Sequence, residues 1–209
     1  MKMLFLRRAV AILFLTLFAA TGPFALSAEV HSSEDHRCSF ETSAWMVMNL
    51  MPDPGDFYQL TLGYWPDDKN AFFLNGITWK YDAPIGIPLG PDFDDPDQDY
   101  PGYVRAFGLG VGYQRLLWKG LFAAAYAMPF LQSFHPSNGD AQRSGFQLYL
   151  QAQAGYQFDF FKGRFFVKPL LSFNYWPINT NFPASFREKE DRWPNYYLFE
   201  PHLNLGFRF

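Results

Sequence analysis

The chain has few charged residues, a single cysteine and, beyond its N-terminus, no long apolar run. Charged residues make up only 18% of its 209 residues and aromatic residues 21%. So much aromatic surface must be buried, which excludes an intrinsically disordered protein. One cysteine, Cys38, cannot form an internal disulfide. The mean hydropathy of −0.15 and the lack of further apolar runs exclude a helical protein that crosses a membrane several times. An aromatic-rich β protein remains.

The N-terminus has the three parts of a secretory signal peptide. Lys2, Arg7 and Arg8 precede an apolar run at 9–20, and the small residues of 25–28 follow as a cleavage site. We predict that residues 1–28 are removed on export. The alternative is a retained anchor helix, although about 20 apolar residues are needed to span a bilayer. Removing the leader leaves 14 basic and 20 acidic residues, a net charge of −6, which disfavours a nucleic-acid partner. We expect residues 29–42 to form a flexible periplasmic segment.

The rest of the chain alternates apolar and polar residues with a period of two, as β-strands with one apolar face do. The last strand shows this best, since one of its faces holds Tyr197, Phe199, Leu203, Leu205, Phe207 and Phe209. Between 103 and 113 the apolar face is opposed by Ala106 and three glycines, which predicts a narrow, crowded interior. The pattern predicts eight strands, at 43–51, 56–66, 70–81, 102–117, 120–133, 145–159, 164–177 and 196–209.

The connections between these strands alternate in length. Short turns at 66–69, 118–120 and 160–163 alternate with long loops at 82–101, 134–144 and 178–195, as the short periplasmic turns and long outer loops of outer-membrane barrels do. Residues 43–209 are therefore predicted to form an all-β, eight-stranded antiparallel up-and-down transmembrane barrel with periplasmic termini. Two alternatives stay open: residues 43–51 form a helix, or the protein is a soluble up-and-down barrel or sandwich with its apolar face inside.

The end of the chain carries a second indication. It closes an alternating apolar strand on Phe209, which resembles the C-terminal signal of bacterial outer-membrane β-barrels. This similarity to the small eight-stranded members of that class implies an integral outer-membrane protein that the barrel assembly machinery recognises. It also implies a monomer in contact with outer-membrane lipid and lipopolysaccharide.

If the apolar face points to lipid, the interior is polar. We expect it to hold Lys80, Gln151, Lys168, Ser172, Glu200, His202 and Arg208, with the acidic side chains neutralising the basic ones because buried charges need partners. If the last hairpin is symmetric, Ser172 lies opposite His202 with Glu200 two residues away, the residue types of a nucleophile, a base and an orienting acid. A small-solute channel is another alternative, although the interior has no ring of like charge.

A second constellation lies at the outer end of the fifth strand. His135 and Ser137 form a His-x-Ser sequence that resembles the motif of the lipid A deacylase barrels. That resemblance implies a base at His135 and a nucleophile at Ser137. The family places a Glu on the following strand, whereas the nearest acid here is Asp140 in the same loop. A plain turn is the alternative interpretation of this segment.

Two loops are rich in charge. Five aspartates lie in the second outer loop, Asp92, Asp94, Asp95, Asp97 and Asp99, and carboxylates so close together suit Ca²⁺. We interpret them as a solvated acidic loop that divalent cations cross-bridge to lipopolysaccharide phosphates, with a discrete metal site as the alternative. Residues 186–193 mix both signs of charge, which predicts a solvated loop or a protein contact.

The sequence thus predicts a role that is structural or depends on surface interactions of the outer loops, without catalysis and without a cofactor. The alternatives are a lipid A acyl hydrolase that uses His135 and Ser137, and a small-solute channel.

Overall fold

The computed structural model describes residues 36–50, 56–88 and 91–209. The predicted signal peptide, residues 1–28, lies outside the described residues, as do residues 29–35 of the predicted periplasmic segment. The strands are β1 (Cys38–Ser43), β2 (Tyr58–Tyr64), β3 (Asn70–Tyr81), β4 (Gly102–Trp118), β5 (Leu121–Pro136), β6 (Arg143–Tyr156), β7 (Phe158–Phe160), β8 (Phe165–Asn179) and β9 (Tyr196–Arg208). The loops carry one α-helix, α1 (Ala184–Glu190), and 3-10 turns at Ala44–Leu50, Pro91–Asp94 and Pro96–Gln98.

The strands form one closed antiparallel ring. From β1 to β6 and from β7 to β9, consecutive strands pair with each other, β6 pairs with β8, and β1 closes the ring by pairing with β9 as well as β2. The short β7 extends β6 along β8, so the wall is eight strands around. The predicted all-β, up-and-down barrel is confirmed. Among the described residues, no helix is long and apolar enough to cross a membrane.

The first strand lies earlier than predicted. β1 covers Cys38–Ser43, most of it inside the segment expected to be a flexible tail. The predicted strand at 43–51 is wrong, and the helix that was its alternative is found at Ala44–Leu50 as a 3-10 helix. β1 is short and its inward face is polar, with Ser39 and Glu41 both buried. Pairing with the two neighbouring strands stabilises β1: it pairs with β2 on one side and with β9 on the other, where Phe40 lies opposite Phe207.

The two ends of the barrel differ. At one end, here the turn end, the connections are tight: Lys119 and Gly120 both have positive φ, 45° and 95°, as the two central residues of a type I′ hairpin turn require. Asp67 accepts hydrogen bonds from the backbone N–H groups of Lys69 and Asn70, both at 2.8 Å. At the other end, here the loop end, lie the long connections 82–101 and 180–195.

The inward face is crowded with rings as well as polar groups. Glycines of β4 face large side chains of β5: a Cβ on Gly108 would lie 2.3 Å from the ring of Phe130, and one on Gly112 would lie 2.2 Å from that of Tyr126. The glycines of β4 therefore leave space for the large side chains of β5 inside the narrow barrel. The predicted polar interior is found only in part, because buried aromatic residues share it: Trp65, Phe73, Phe122, Tyr126, Phe130, Tyr149, Phe166 and Trp176.

The outward face is apolar. On β4 the side chains of Phe107, Leu109 and Val111 are 56%, 52% and 62% exposed, and the other strands continue the same band. The alternation breaks once in β9, where Phe199 has φ of 62° and the register to β8 shifts between Ser172 and Asn174. Beyond this bulge Tyr197 packs against the interior instead of facing out.

Candidate functional site

The interior polar residues of β8 and β9 form one cluster halfway along the barrel. Ser172 lies directly opposite Glu200 and not opposite His202, two residues from the predicted register. His202 Nε2 lies 3.0 Å from Glu200 Oε2 and 3.1 Å from Ser172 Oγ. A catalytic relay needs the acid on one imidazole nitrogen and the nucleophile on the other. Here one nitrogen faces both, which is the geometry of a mutually satisfied polar cluster.

The cluster continues around the wall as a ladder of amides. Asn174 Nδ2 donates to Glu200 at 2.7 Å, and Gln151 Nε2 donates to Asn174 Oδ1 at 2.8 Å. Gln153 donates in turn to Gln151 at 2.6 Å. The structure thus joins β6, β8 and β9 through side chains across the interior, and such networks rigidify the core they occupy.

Two ion pairs, one fully buried and one partly buried, occupy the turn half of the interior. Lys168 and Glu41 are in direct contact, 0% and 1% exposed, and Lys168 also donates to Gln114 Oε1 at 3.1 Å. Arg208 pairs with Asp159 at 3.5 Å. The guanidinium of Arg208 lies 4.3 Å from the Trp65 ring and the ammonium of Lys168 lies 5.1 Å from the Phe73 ring, so cations and rings together fill this half.

The loop end is covered by an aromatic cap. Helix α1 turns Phe186 inward, where it is fully buried and stacks on Tyr100 with ring centroids 4.7 Å apart. Phe134 at the end of β5 contacts both Phe182 (4.7 Å) and Phe186 (5.9 Å). The segment predicted to be a solvated loop or a protein contact therefore brings an apolar face down onto the mouth of the barrel, while the side chains of Arg187 and Glu188 stay exposed.

Polar contacts fasten this cap to the wall and to the neighbouring loops. The Tyr100 hydroxyl donates to Glu190 at 2.5 Å and Asn179 Nδ2 donates to the same carboxylate at 3.1 Å. Burial raises the pKa of the Glu190 carboxyl and raises that of the Tyr100 phenol well above its usual value. Lys189 Nζ contacts the Asp97 carbonyl oxygen, so loops 82–101 and 180–195 close over the mouth together.

His135 and Ser137 lie at the loop end beside this cap. The His135 ring stacks on Tyr103 at 4.5 Å, and its Nδ1 lies 2.8 Å from the Gln142 amide nitrogen. Among the described residues no carboxylate contacts His135. Asp140, the nearest acid in sequence, is occupied elsewhere: Ser185 donates to it at 2.7 Å and this hydrogen bond lowers the pKa of the carboxyl. The structure does not bring a nucleophile, base and acid together here.

The predicted aspartate cluster is mainly loop architecture. Asp95 caps the turn Pro96–Gln98, accepting from Asp97 N at 3.0 Å and from Gln98 Nε2 at 3.2 Å. The hydrogen bond from Asp97 N lowers the pKa of Asp95. Asp92 is exposed and Asp99 is exposed with a contact of its own. Within the described ranges, no three His, Cys, Asp or Glu side chains are grouped as a metal site requires.

Two further predicted residues have different surroundings. Lys80, expected inside, lies directly opposite exposed Arg105 on the outward face, because the inward positions of β3 are the odd-numbered ones, such as Phe73 and Asn75. Phe209 exchanges backbone hydrogen bonds with Cys38 at 3.1 and 2.9 Å. Its side chain is 58% exposed on the outward face, so it is accessible from outside the barrel.

The sequence analysis does not identify the residues that neutralise the buried lysine and that cover the loop end of the barrel. Glu41 was assigned to the tail, although the alternation of Ser39, Phe40 and Glu41 marks an inward acid. Phe186 and Glu190 lie in a stretch dominated by charge. Their signal is the spacing of four residues, which places both on one side of a helix.

Comparison with known proteins adds little. No protein-family model and no curated protein matches the chain. Among solved structures, the crystal structure of Neisserial surface protein A (NspA) is similar, at 13% identity over 82% of this chain and 93% of that chain, with a TM-score of 0.43. A likeness this distant carries no argument about function, and the barrel fold stands on the strand pairing of this chain itself.

Proposed function

We propose that this protein is an integral outer-membrane β-barrel that acts through the surface of its loop end and neither conducts solutes nor catalyses a reaction. The observation that carries the proposal is the outward wall, where exposed apolar side chains form a band with charged residues at its edges. Arg105 and Arg115 border that band on β4. A soluble protein rarely exposes so large a continuous apolar surface.

The height of the band agrees with a bilayer. Arg105 and Arg115 are ten residues apart on one face. At about 3.4 Å per residue and a strand tilt of about 40°, this spacing covers about 26 Å along the barrel axis, against an apolar band of about 25 Å in outer-membrane barrels. Tyr103 and Tyr113 stand next to the two arginines on the same face, where interfacial aromatic residues belong.

The filled interior supports a role without conduction. Rings and paired charges occupy the turn half, the Ser172 cluster occupies the middle, and Phe186 covers the loop end. An eight-stranded ring leaves room for side chains and little more. The remaining accessible chemistry is on the outward wall and on the loops, which in this orientation meet the outer leaflet and its lipopolysaccharide. Phe209, exposed at the end of β9, is available to the assembly machinery.

The test combines membrane fractionation, gel mobility with and without boiling, and mass spectrometry of lipid A from cells with and without the protein. We expect a membrane-bound protein that migrates faster before boiling, since a folded barrel resists detergent, and an unchanged lipid A acylation pattern. Recovery in the soluble periplasm contradicts the membrane assignment. Loss of an acyl chain that depends on Ser137 contradicts the non-catalytic role.

A further inference from the structure

Two cations face each other on the outward wall at the edge of the apolar band. Lys80 of β3 and Arg105 of β4 are directly opposite in the antiparallel register, and like charges in that position repel. Arg105 Nη2 pairs with Asp56 Oδ2 at 2.5 Å, while Lys80 Nζ lies 4.8 Å from the ring centroid of Tyr103. These contacts bring two cations and one carboxylate together, which gives the group of Lys80, Arg105 and Asp56 a net positive charge.

A groove opens in the wall next to this pair, toward the middle of the band. It has a volume of about 530 Å³. Its lining comes from the outward faces of β1 to β4 and from the 3-10 turn after β1, and includes Phe40, Thr42, Met46, Tyr58, Leu60, Gly76 and Phe107. Gly76 is the cause of the depression, since a Cβ placed there would find only the Leu60 carbonyl oxygen, at 3.9 Å. Thr78 and Phe107, one outward position from Lys80 and Arg105, join the groove to the cations.

The groove is apolar in chemistry as well as in composition. The Thr42 hydroxyl donates to the Gln59 carbonyl at 2.5 Å and the Thr78 hydroxyl donates to the Ala106 carbonyl at 2.8 Å. Both threonine hydroxyls in the lining are therefore satisfied by the protein backbone, and the third hydroxyl of the lining belongs to Tyr58. The surface offers a ligand an anion site at one end and hydrocarbon contact at the other.

We propose that this surface binds one lipid A molecule, with a phosphate between Lys80 and Arg105 and an acyl chain in the Gly76 groove. The inference rests on the proposed membrane orientation, which places the cations at the headgroup level of the outer leaflet. A phosphate monoester carries about −1.5 to −2 charges, which complements the unpaired cation, and basic clusters at this depth recognise lipid headgroups. From the headgroup at the cations, the acyl chain would extend along the groove toward the middle of the apolar band, which is the direction of acyl chains in a bilayer.

Asp56 is a competitor in this arrangement because it holds the guanidinium that the phosphate needs. Its removal should therefore strengthen binding, whereas removal of Lys80 should weaken it. Asp56 has φ of 46°, a conformation that asparagine tolerates well, so Asp56→Asn removes the charge without straining the backbone. Opposite effects from two neighbouring charge removals distinguish a phosphate site from general loss of structure.

The experiment measures binding to the purified full-length barrel in a neutral detergent, with three probes: bisphosphorylated lipid A, dephosphorylated lipid A and phosphatidylglycerol. We expect Lys80→Gln to weaken binding of bisphosphorylated lipid A about fivefold, the effect of about 1 kcal/mol per basic residue at a membrane surface. Asp56→Asn should tighten it, and Gly76→Leu should weaken binding of both forms of lipid A by filling the groove. Each variant must first show the heat-dependent mobility of a folded barrel.

Matched controls exist on the same wall. Arg115→Gln removes an outward arginine of β4 at the opposite edge of the band, and Ala125→Leu places the same leucine side chain on the outward face of β5. Both should leave lipid A binding unchanged. The inference is overturned if Lys80→Gln and Arg115→Gln have equal effects, if Gly76→Leu has no effect, or if phosphatidylglycerol binds as tightly as lipid A. Because the wild-type protein is also tested for membrane location and heat-shifted mobility, failure of the proposed function is seen separately.

Discussion

The buried pair of Lys168 and Glu41 offers a quantitative test of how the barrel closes. Glu41 is on β1 and Lys168 is on β8, and β9 lies between these strands. The pair therefore connects β1 to β8 across β9, where the ring closes. Their side chains are 1% and 0% exposed. Lys168→Met keeps a long unbranched side chain among the rings of Phe73 and Phe122 but removes the cation in contact with the buried Glu41 carboxylate.

The expected loss is large for a single substitution. Removing one partner of a buried ion pair costs about 3–5 kcal/mol, because the remaining charge stays desolvated and unpaired. Glu41→Gln should cost a similar amount for the same reason. The double variant, which leaves no buried charge at this position, should be more stable than either single variant.

The assay is urea unfolding of the barrel in phospholipid vesicles, followed by tryptophan fluorescence, with a double-mutant cycle across the four proteins. A cost below about 1 kcal/mol for each single variant, the range of solvated surface pairs, would refute the reasoning. So would a double variant whose loss equals the sum of the two single losses.

Three further predictions concern the crowded interior and the cap. Gly112→Leu should lower the urea midpoint while Gly76→Leu should not, because a Cβ on Gly112 would lie 2.2 Å from the Tyr126 ring whereas Gly76 faces open space. Phe186→Ala removes a fully buried ring and should make loop 180–195 readily cleaved by protease while the barrel keeps its heat-dependent mobility. Burial raises the pKa of Glu190, so the closed cap binds a proton more tightly than the open loop does. Cap stability should therefore be greatest at low pH, below the ordinary carboxyl pKa of about 4.3, and decline as pH rises through the raised pKa; amide exchange of the loop, corrected for intrinsic rates, should lose this dependence in Glu190→Gln.

Each of these has a clear contrary result. Equal midpoints for the two glycine variants would mean that the inward face is not tightly packed. Unchanged cleavage after Phe186→Ala would mean that the helix is held by its polar contacts instead of by its buried ring. A cap that is most stable at high pH would mean that the Glu190 carboxylate is stabilised, not penalised, where it lies.

The sequence predicts the wall better than what fills it. Alternation with a period of two is a property of each strand alone, so strands such as β3 and β4 are found within a residue or two of their predicted bounds. It fails where tertiary structure overrides it. β1 is too short and too polar to stand out, and is held by its neighbours. The parity of β9 changes at Phe199 because of a bulge that hydrophobicity does not record.

The candidate sites show the same limit. Which residues share a face is readable from spacing, so Ser172, Glu200 and His202 do meet. Their chemistry depends on register, and a shift of two residues puts Ser172 opposite Glu200. Lys80 shows the effect of a wrong parity, since the side chain expected inside the barrel lies on the outward face opposite Arg105. The groove beside Lys80 arises at Gly76. The sequence shows the glycine, but whether it leaves a groove depends on the residues of the neighbouring strands, which only the structure identifies.

The central claim is that the outward wall spans a membrane. Its most direct test is to measure whether lipid or water surrounds that wall. A nitroxide label at Leu109, in the middle of the band, and others at Arg105 and Arg115 can be introduced after Cys38→Ser and examined in membranes by power-saturation spectroscopy with oxygen and a water-soluble nickel chelate. A membrane-spanning barrel predicts that the label at 109 is reached by oxygen and not by nickel, with nickel access recovered at 105 and 115. Equal nickel access at all three positions would contradict it and indicate a barrel that stands in water.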